Sequence, residues 1–339
     1  MVKILSAPNF QPEVIRNQLF QKVVPPVMDA GHRLDNYEIL QSIHSSPRSH
    51  LYLVQDVKNA KRYILKTPSK NFEEDEFYLQ GFIREAWIGG KIDHPSISKI
   101  YPQENESKFL YHICEFVDGQ NLRQWMYDNP KPDIDKVRQI IKQISEALRV
   151  LKRMEIIHRD LKPDNLMIDK DGQIKLIDYG TVSIASLDEN INIIRENTPV
   201  GTLNYMAPET LIDLVADHQS DLFSLGVISY EMLTGELPYA TKDNHKKVPK
   251  QFNKWLYRNA RDYRNDIPLW LDIALNKAVS PDPVNRYQTY SNYIVDLTKP
   301  NLSSEKEYLN RPLIERNPLK FWKTLSVTLT ILLAISLIR

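Results

Sequence analysis

An acid, a lysine and an amide share one short run, His158-Arg159-Asp160-Leu161-Lys162-Pro163-Asp164-Asn165. Their types suit phosphoryl transfer. Asp160 suits a base that takes the proton of an attacking hydroxyl, Lys162 neutralises a migrating phosphoryl group, and the side-chain oxygen of Asn165 suits a metal ion. A second carboxylate, Asp178, follows the apolar run Lys175-Leu176-Ile177, so Asn165 and Asp178 are the expected metal ligands. A His-Arg-Asp triplet alone is an ordinary charged turn. The amide downstream and the Asp178-Tyr179-Gly180 turn, in that order and spacing, give it chemical meaning.

These groups need elements to hold them. Strand-like runs at Tyr37-Glu38-Ile39-Leu40, Leu51-Tyr52-Leu53-Val54 and Arg62-Tyr63-Ile64-Leu65-Lys66 are followed by a helix expected over 76–92 and strands near 97–101 and 109–115. Lys66 ends a strand whose neighbours alternate, which can aim its ammonium into a cleft. Helix 76–92 contains Gly89-Gly90, each costing about 1 kcal/mol against alanine, so its second half is expected to be weak. A long amphipathic helix over 133–154 precedes the Asp160 run, and 220–235 is apolar nearly all round, as in a buried central helix. Near the start, 11–20 has helical spacing and Pro25-Pro26 breaks it.

From about Asn36 to Pro300 these motifs resemble a bacterial eukaryotic-type Ser/Thr protein kinase. The resemblance implies an α+β, two-lobed fold: a small β-rich lobe at 36–117 and a larger helical lobe at 118–300, after an extension at 1–35. It implies ATP as cofactor with Mg²⁺, or Mn²⁺ in its place. Lys66 would hold the α- and β-phosphates, paired with Glu85 on the helix before the hinge. Ile43, Leu51, Ile64, Cys114, Met167 and Ile177 would enclose the nucleotide, and the backbone of Glu115 and Val117 would meet the adenine edge. Asp221 would steady the catalytic loop, and Arg286 would pair with Glu209 at the end of an activation segment. That segment carries the candidate phosphosites Thr198 and Thr202, with Arg159 as a receiver for a phosphate.

One stretch departs from the family. The phosphate-covering loop should read Gly-x-Gly-x-x-Gly, whereas His44, Ser46 and Ser49 occupy the three glycine positions and Pro47 removes an amide donor. Arg48 or His50 would then supply charge to the phosphates. The departure keeps a second reading open, a nucleotide-binding pseudokinase acting as a membrane signalling scaffold.

Composition narrows the partners. With 44 basic and 43 acidic residues the net charge is +1, so no field for nucleic acid is expected. The single cysteine, Cys114, excludes an internal disulfide framework and fits a reducing compartment. Residues 1–30 lack the basic-then-apolar order of a secretory signal. Residues 301–320 read as juxtamembrane and 321–338 as a spanning helix, with Trp322 at the interface. Arg311, Arg316, Lys320 and Lys323 precede that helix, which places the kinase on the cytoplasmic side of the inner membrane as a single-pass protein. The rival is an amphipathic or docking helix, favoured by Thr324, Ser326, Thr328 and Thr330. Protein substrates, the chain itself included, are the expected partners. Resemblance to kinases fused to a metal-dependent protein phosphatase adds a separately encoded phosphatase.

Overall fold

In the runs His50 to Val54 and Leu65 to Thr67 every second side chain is buried, the mark of strands with one packed face. The structure is a computed structural model. It describes residues 22–101, 107–178, 183–184, 203–212, 216–240, 251–316 and 318–338. The elements of the small lobe are β1 (Arg33–Leu34), β2 (Tyr37–Ser45), β3 (Ser49–Asp56), β4 (Arg62–Pro68), helix α1 (Glu76–Gly89), β5 (Ile100–Tyr101) and β6 (His112–Glu115). They form one sheet in the order β1-β2-β3-β4-β6-β5. Leu51 lies opposite Lys66, and Ile64 opposite Cys114. Directly opposed residues share a face, so Leu51, Ile64, Lys66 and Cys114 line one side of the sheet. Tyr52, Val54, Leu65 and Ile113 take the other side, in a core with Met28, Leu34 and Ile39.

Helix α1 begins at Asp75, whose carboxylate accepts the Tyr78 N–H at 2.9 Å. It is shorter than the sequence suggests, ending at Gly89 with Gly90 as its cap. A Cβ on Gly89 would sit 2.3 Å from Ile100 Cδ1, so the glycine permits close contact between helix and β5. The expected strands at 97–101 and 109–115 also contract, to β5 and β6. Outside β6, Phe109 forms an isolated bridge with Val23. The described part of the extension packs onto this lobe. Val24 joins Leu79, Phe82, Ile83 and Leu110 in a small cluster.

The large lobe follows with β7 (Gly119–Asn121), α2 (Leu122–Asp128), α3 (Ile134–Arg153), β8 (Ile156–Ile157), β9 (Leu166–Asp169), β10 (Ile174–Leu176), β11 (Ser183–Ile184), α4 (Pro208–Ile212), α5 (His218–Thr234), α6 (Leu269–Ala278) and α7 (Tyr290–Thr298). Val137, Ile140, Ile141, Ile144, Leu148 and Leu151 make the buried stripe of α3 at helical spacing. Helix α5 is buried almost all round. Asp217 and Ser220 form its capping box, and Gly235 ends it at φ 75°. The large core also takes in Ile88, Ile92, Ile97 and Ile100, so it reaches across to the small lobe.

Beyond these lie α8 (Leu302–Asn310), α9 (Leu313–Arg316) and α10 (Pro318–Ile338). Helix α10 is 21 residues long. Among the described residues no helix is long and apolar enough to cross a membrane. The segment at 321–338 is therefore helical as expected, while the span expected of it is not shown: Lys320 and Lys323 charge its first turns, and its uncharged run begins only at Thr324.

Candidate active site

Strand β4 delivers Lys66 to the face that looks toward the large lobe. Its Nζ lies 2.6 Å from Glu85 Oε1 on α1 and 3.2 Å from Asp178 Oδ1, just beyond β10. Burial alone would lower the lysine pKa, but Asp178 and Glu85 outweigh it and raise the pKa above the ordinary value. The ammonium therefore stays charged. Glu85 is 4% exposed, so this charge is balanced inside the protein.

Opposite stands the loop after β8. Arg159 adopts φ 67°, a left-handed conformation that costs a non-glycine residue about 1 kcal/mol. Buried Asp221, in the first turn of α5, holds it there. Its carboxylate accepts the His158 N–H at 2.8 Å and the Arg159 N–H at 3.0 Å. Beside it, Asp160 Oδ2 accepts from Lys162 Nζ at 2.7 Å and from Asn165 Nδ2 at 3.0 Å. Asp160 Oδ1 is buried with no protein partner among the described residues. That oxygen is left for a substrate hydroxyl. Burial raises the Asp160 pKa, and the Lys162 ammonium opposes the shift.

Asn165 spends its amide nitrogen on Asp160, bonding the main-chain carbonyl at 2.8 Å as well, which leaves its oxygen for a cation. Among the described residues no group of three His, Cys, Asp or Glu could hold a metal ion alone. Two hard oxygen donors, Asn165 and Asp178, suit Mg²⁺, which draws its other ligands from phosphates and water.

At the hinge the Glu115 N–H donates to the Lys99 carbonyl at 2.8 Å, so only its carbonyl is left for an adenine edge. The Glu115 side chain pairs with Lys175 Nζ at 2.9 Å. Val117 is buried, while Leu51, Ile64, Cys114, Met167 and Ile177 are half-buried between the lobes. Burial pushes the Cys114 thiol up to about 12, with Glu85 adding to the shift and Lys66 opposing it.

The phosphate loop differs most from expectation. Ser46 N–H donates to the Ser49 carbonyl at 2.9 Å, and the Arg48 and Ser49 amides donate to Ser46 Oγ at 3.3 and 3.0 Å. With Pro47 lacking a donor, these tip amides are spent inside the turn. Ile43 and His44 are exposed. The charge expected from His50 is not supplied: its ring is buried, bonded to Ser45 Oγ at 2.8 Å, and its pKa is lowered by burial. The Arg48 guanidinium lies 5.8 Å from the centre of the Phe72 ring. Thr198 and Thr202 lie outside the described residues.

Behind the loop, Arg286 grips Glu209 with two bonds of 2.7 Å, and Ser220 Oγ adds a third to Glu209 at 2.8 Å. Sequence reading missed a neighbouring cluster. Arg123 on α2 bonds Glu231 at 2.7 Å and the Tyr205 hydroxyl. It also missed the Ser46 turn, although Ser followed by Pro is a turn signal. A cavity of about 590 Å³ lies elsewhere, lined by Asp118, Trp125, Lys136 and Asp169 among others, and shares no residue with this site.

A β-rich lobe set over a helical one, with a lysine–glutamate pair facing an acid-lysine-amide loop, defines a protein kinase fold. A solved structure of the Mycobacterium tuberculosis PknI kinase domain has the same fold, with a TM-score of 0.62 at 22% identity over 81% of this chain and 100% of that one. Residues 37–318 match the family model described as protein kinase domain, and the chain belongs to that family. It is 28% identical over 276 residues to the serine/threonine-protein kinase PrkC of Bacillus subtilis (strain 168), covering 79% of this chain and 41% of PrkC. It is 29% identical over 273 residues to the serine/threonine-protein kinase PknB of Mycobacterium leprae (strain TN), covering 79% of this chain and 43% of that relative. The chain thus spans less than half the length of these relatives.

Proposed function

We propose that the chain is a Ser/Thr protein kinase that transfers the γ-phosphoryl of ATP to hydroxyls of protein substrates and to itself. The observation that carries this reading is the pairing of Lys66 with Glu85 and Asp178 across from Asp160, Lys162 and Asn165. Lys66 orients the α- and β-phosphates. Asn165 and Asp178 would hold Mg²⁺, which screens the phosphate charge when bound. The substrate hydroxyl donates its proton to Asp160 as its oxygen bonds to the γ-phosphorus; the bond to the β–γ bridging oxygen breaks and ADP leaves. Lys162 balances the charge that moves. Lobes at 36–117 and 118–300, and phosphosites at Thr198 and Thr202, belong to the same reading.

The test is transfer of labelled phosphate by purified protein with Mg²⁺. Label that disappears in Asp160→Asn supports the kinase. Nucleotide binding without transfer by the wild type overturns it in favour of the pseudokinase scaffold, a second reading supported by the internally bonded amides of the phosphate loop.

The membrane seat is also part of the proposal. Helix α10 leaves Trp322, Val327, Leu329, Ile331, Leu332, Leu333, Ile335 and Leu337 exposed. Thr328 and Thr330 return their hydroxyls to the Thr324 and Ser326 carbonyls, each at 2.8 Å, which lowers the cost of placing them in lipid. From Phe321 to Ile338 the helix rises about 27 Å, a little short of the ~30 Å hydrocarbon thickness. On this reading the kinase faces the cytoplasm from the inner membrane. A separately encoded phosphatase partner rests on resemblance alone. A chain stopped at Asn317 should leave the membrane fraction, and unchanged sedimentation would remove the seat.

A further inference from the structure

The tip of the β2–β3 loop is docked on α1 by groups that have no place in the chemistry above. The Arg48 carbonyl accepts the Ser69 N–H at 2.7 Å and the Tyr78 hydroxyl. The Tyr78 ring packs 4.8 Å from Phe72, the same ring that the Arg48 guanidinium covers. Tyr78 precedes Glu85 by two helical turns and lies on the same face of α1. One helix face thus holds both the loop tip and the partner of Lys66.

We propose that Tyr78 is a positioning residue for the nucleotide: its hydroxyl ties the loop that covers ATP to the helix that carries Glu85, so loop and ion pair are set as one body. A glycine-rich loop settles onto phosphates through its own amides. Here the amides of Ser46, Arg48 and Ser49 are bonded within the turn, so the height of the loop over the phosphates is fixed from outside, through Arg48. The Tyr78 phenol is a neutral donor at physiological pH, and burial pushes its pKa further up, to about 12. Once that donor is lost, the loop keeps its internal turn, the Ser69 bond and the bond of 3.4 Å from Asn71 Nδ2 to the Pro47 carbonyl, none of which comes from α1, so it can swing independently of that helix. ATP then meets a loop that must be ordered at each binding event.

The inference rests on the kinase reading and is tested on the full chain. Tyr78→Phe removes the hydroxyl and keeps the ring on Phe72. We expect amide hydrogen exchange at positions 46, 48 and 49 to quicken at least fivefold, and KM for ATP to rise at least fivefold with kcat within twofold. Partial unfolding would instead lower kcat, leave KM unchanged and speed exchange throughout, and that pattern overturns the latch. So does either an unchanged loop exchange rate or an unchanged KM. If the wild type binds ATP without transferring phosphate, the kinase reading fails, and the dissociation constant for ATP replaces KM as the deciding measurement. A wild type that binds no nucleotide overturns both.

Discussion

At the scale of single residues, the charge around Asp160 sets the pH range of the proposed phosphotransfer. The base must be ionised, and burial already raises its pKa while Lys162 pulls it down. Lys162→Met removes the restraining charge, so the acid limb of the kcat/KM profile should move to higher pH, with kcat lowered as well. A limb that stays in place would assign the acid-side titration to another group. Ser46 offers a second test. Its hydroxyl receives two amides and donates to the Ser49 carbonyl at 3.1 Å. Ser46→Ala should loosen the turn, raising KM for ATP; Arg48→Ala should leave KM nearly unchanged, because the guanidinium rests on Phe72 and the latch uses the main-chain carbonyl. Asp160, Lys162 and Asn165 were legible in the sequence because one loop contains all three. The Lys175–Glu115 pair was not, since sixty residues separate its members and no local pattern marks them.

At the scale of elements, the contacts that hold the site are unequal. Arg286 has a fully buried side chain, bonds Glu209 twice, and reaches the Ser280 carbonyl at 2.6 Å and the Pro281 carbonyl at 2.9 Å. Arg286→Ala leaves a buried carboxylate unpaired and should cost about 3 to 5 kcal/mol in urea unfolding; a loss under 1 kcal/mol would show that Glu209 finds water or another partner. Helix α1 depends on a lighter contact. Val23 exchanges bonds with Lys108 and Leu110, at 2.8 and 2.9 Å, which seats Val24 against Leu79, Phe82 and Ile83. Helix α3 could be read from its buried stripe, whereas a single bridge at Val23 has no period to read, so the extension looked like a linker.

For the molecule as a whole, three buried carboxylates bias stability toward acid. Asp272 Oδ1 accepts the Tyr257 hydroxyl and the Ala260 N–H, each at 2.8 Å, and burial pushes its pKa up to about 6. Burial raises Asp160 and Asp221 as well. A raised folded value means that the stability from Asp272 is fully present below its unfolded pKa of ~3.9 and is lost as pH rises through about 6. Asp272→Asn keeps an oxygen for both donors and sheds the charge. It should stabilise the fold by roughly 2 to 3 kcal/mol at pH 8 and hardly at pH 4; equal effects at the two pH values would count against a buried charge at this position. The two-lobed plan was legible because strand-like runs dominate up to about residue 117 and helical runs dominate after it. The shared core through Ile88, Ile92, Ile97 and Ile100 was not, because those residues meet only after the lobes pack.

The thiol of Cys114, beside the nucleotide cleft, has a consequence for inhibitor chemistry. With its pKa pushed up to about 12, the thiol carries little thiolate at pH 7, and the thiolate is the form that attacks an acrylamide or chloroacetamide. A covalent warhead aimed at this cysteine should label it slowly even when the scaffold fits the adenine region. The small side chain leaves room where a bulkier residue would block the back of the cleft, so selectivity is better sought by shape than by alkylation.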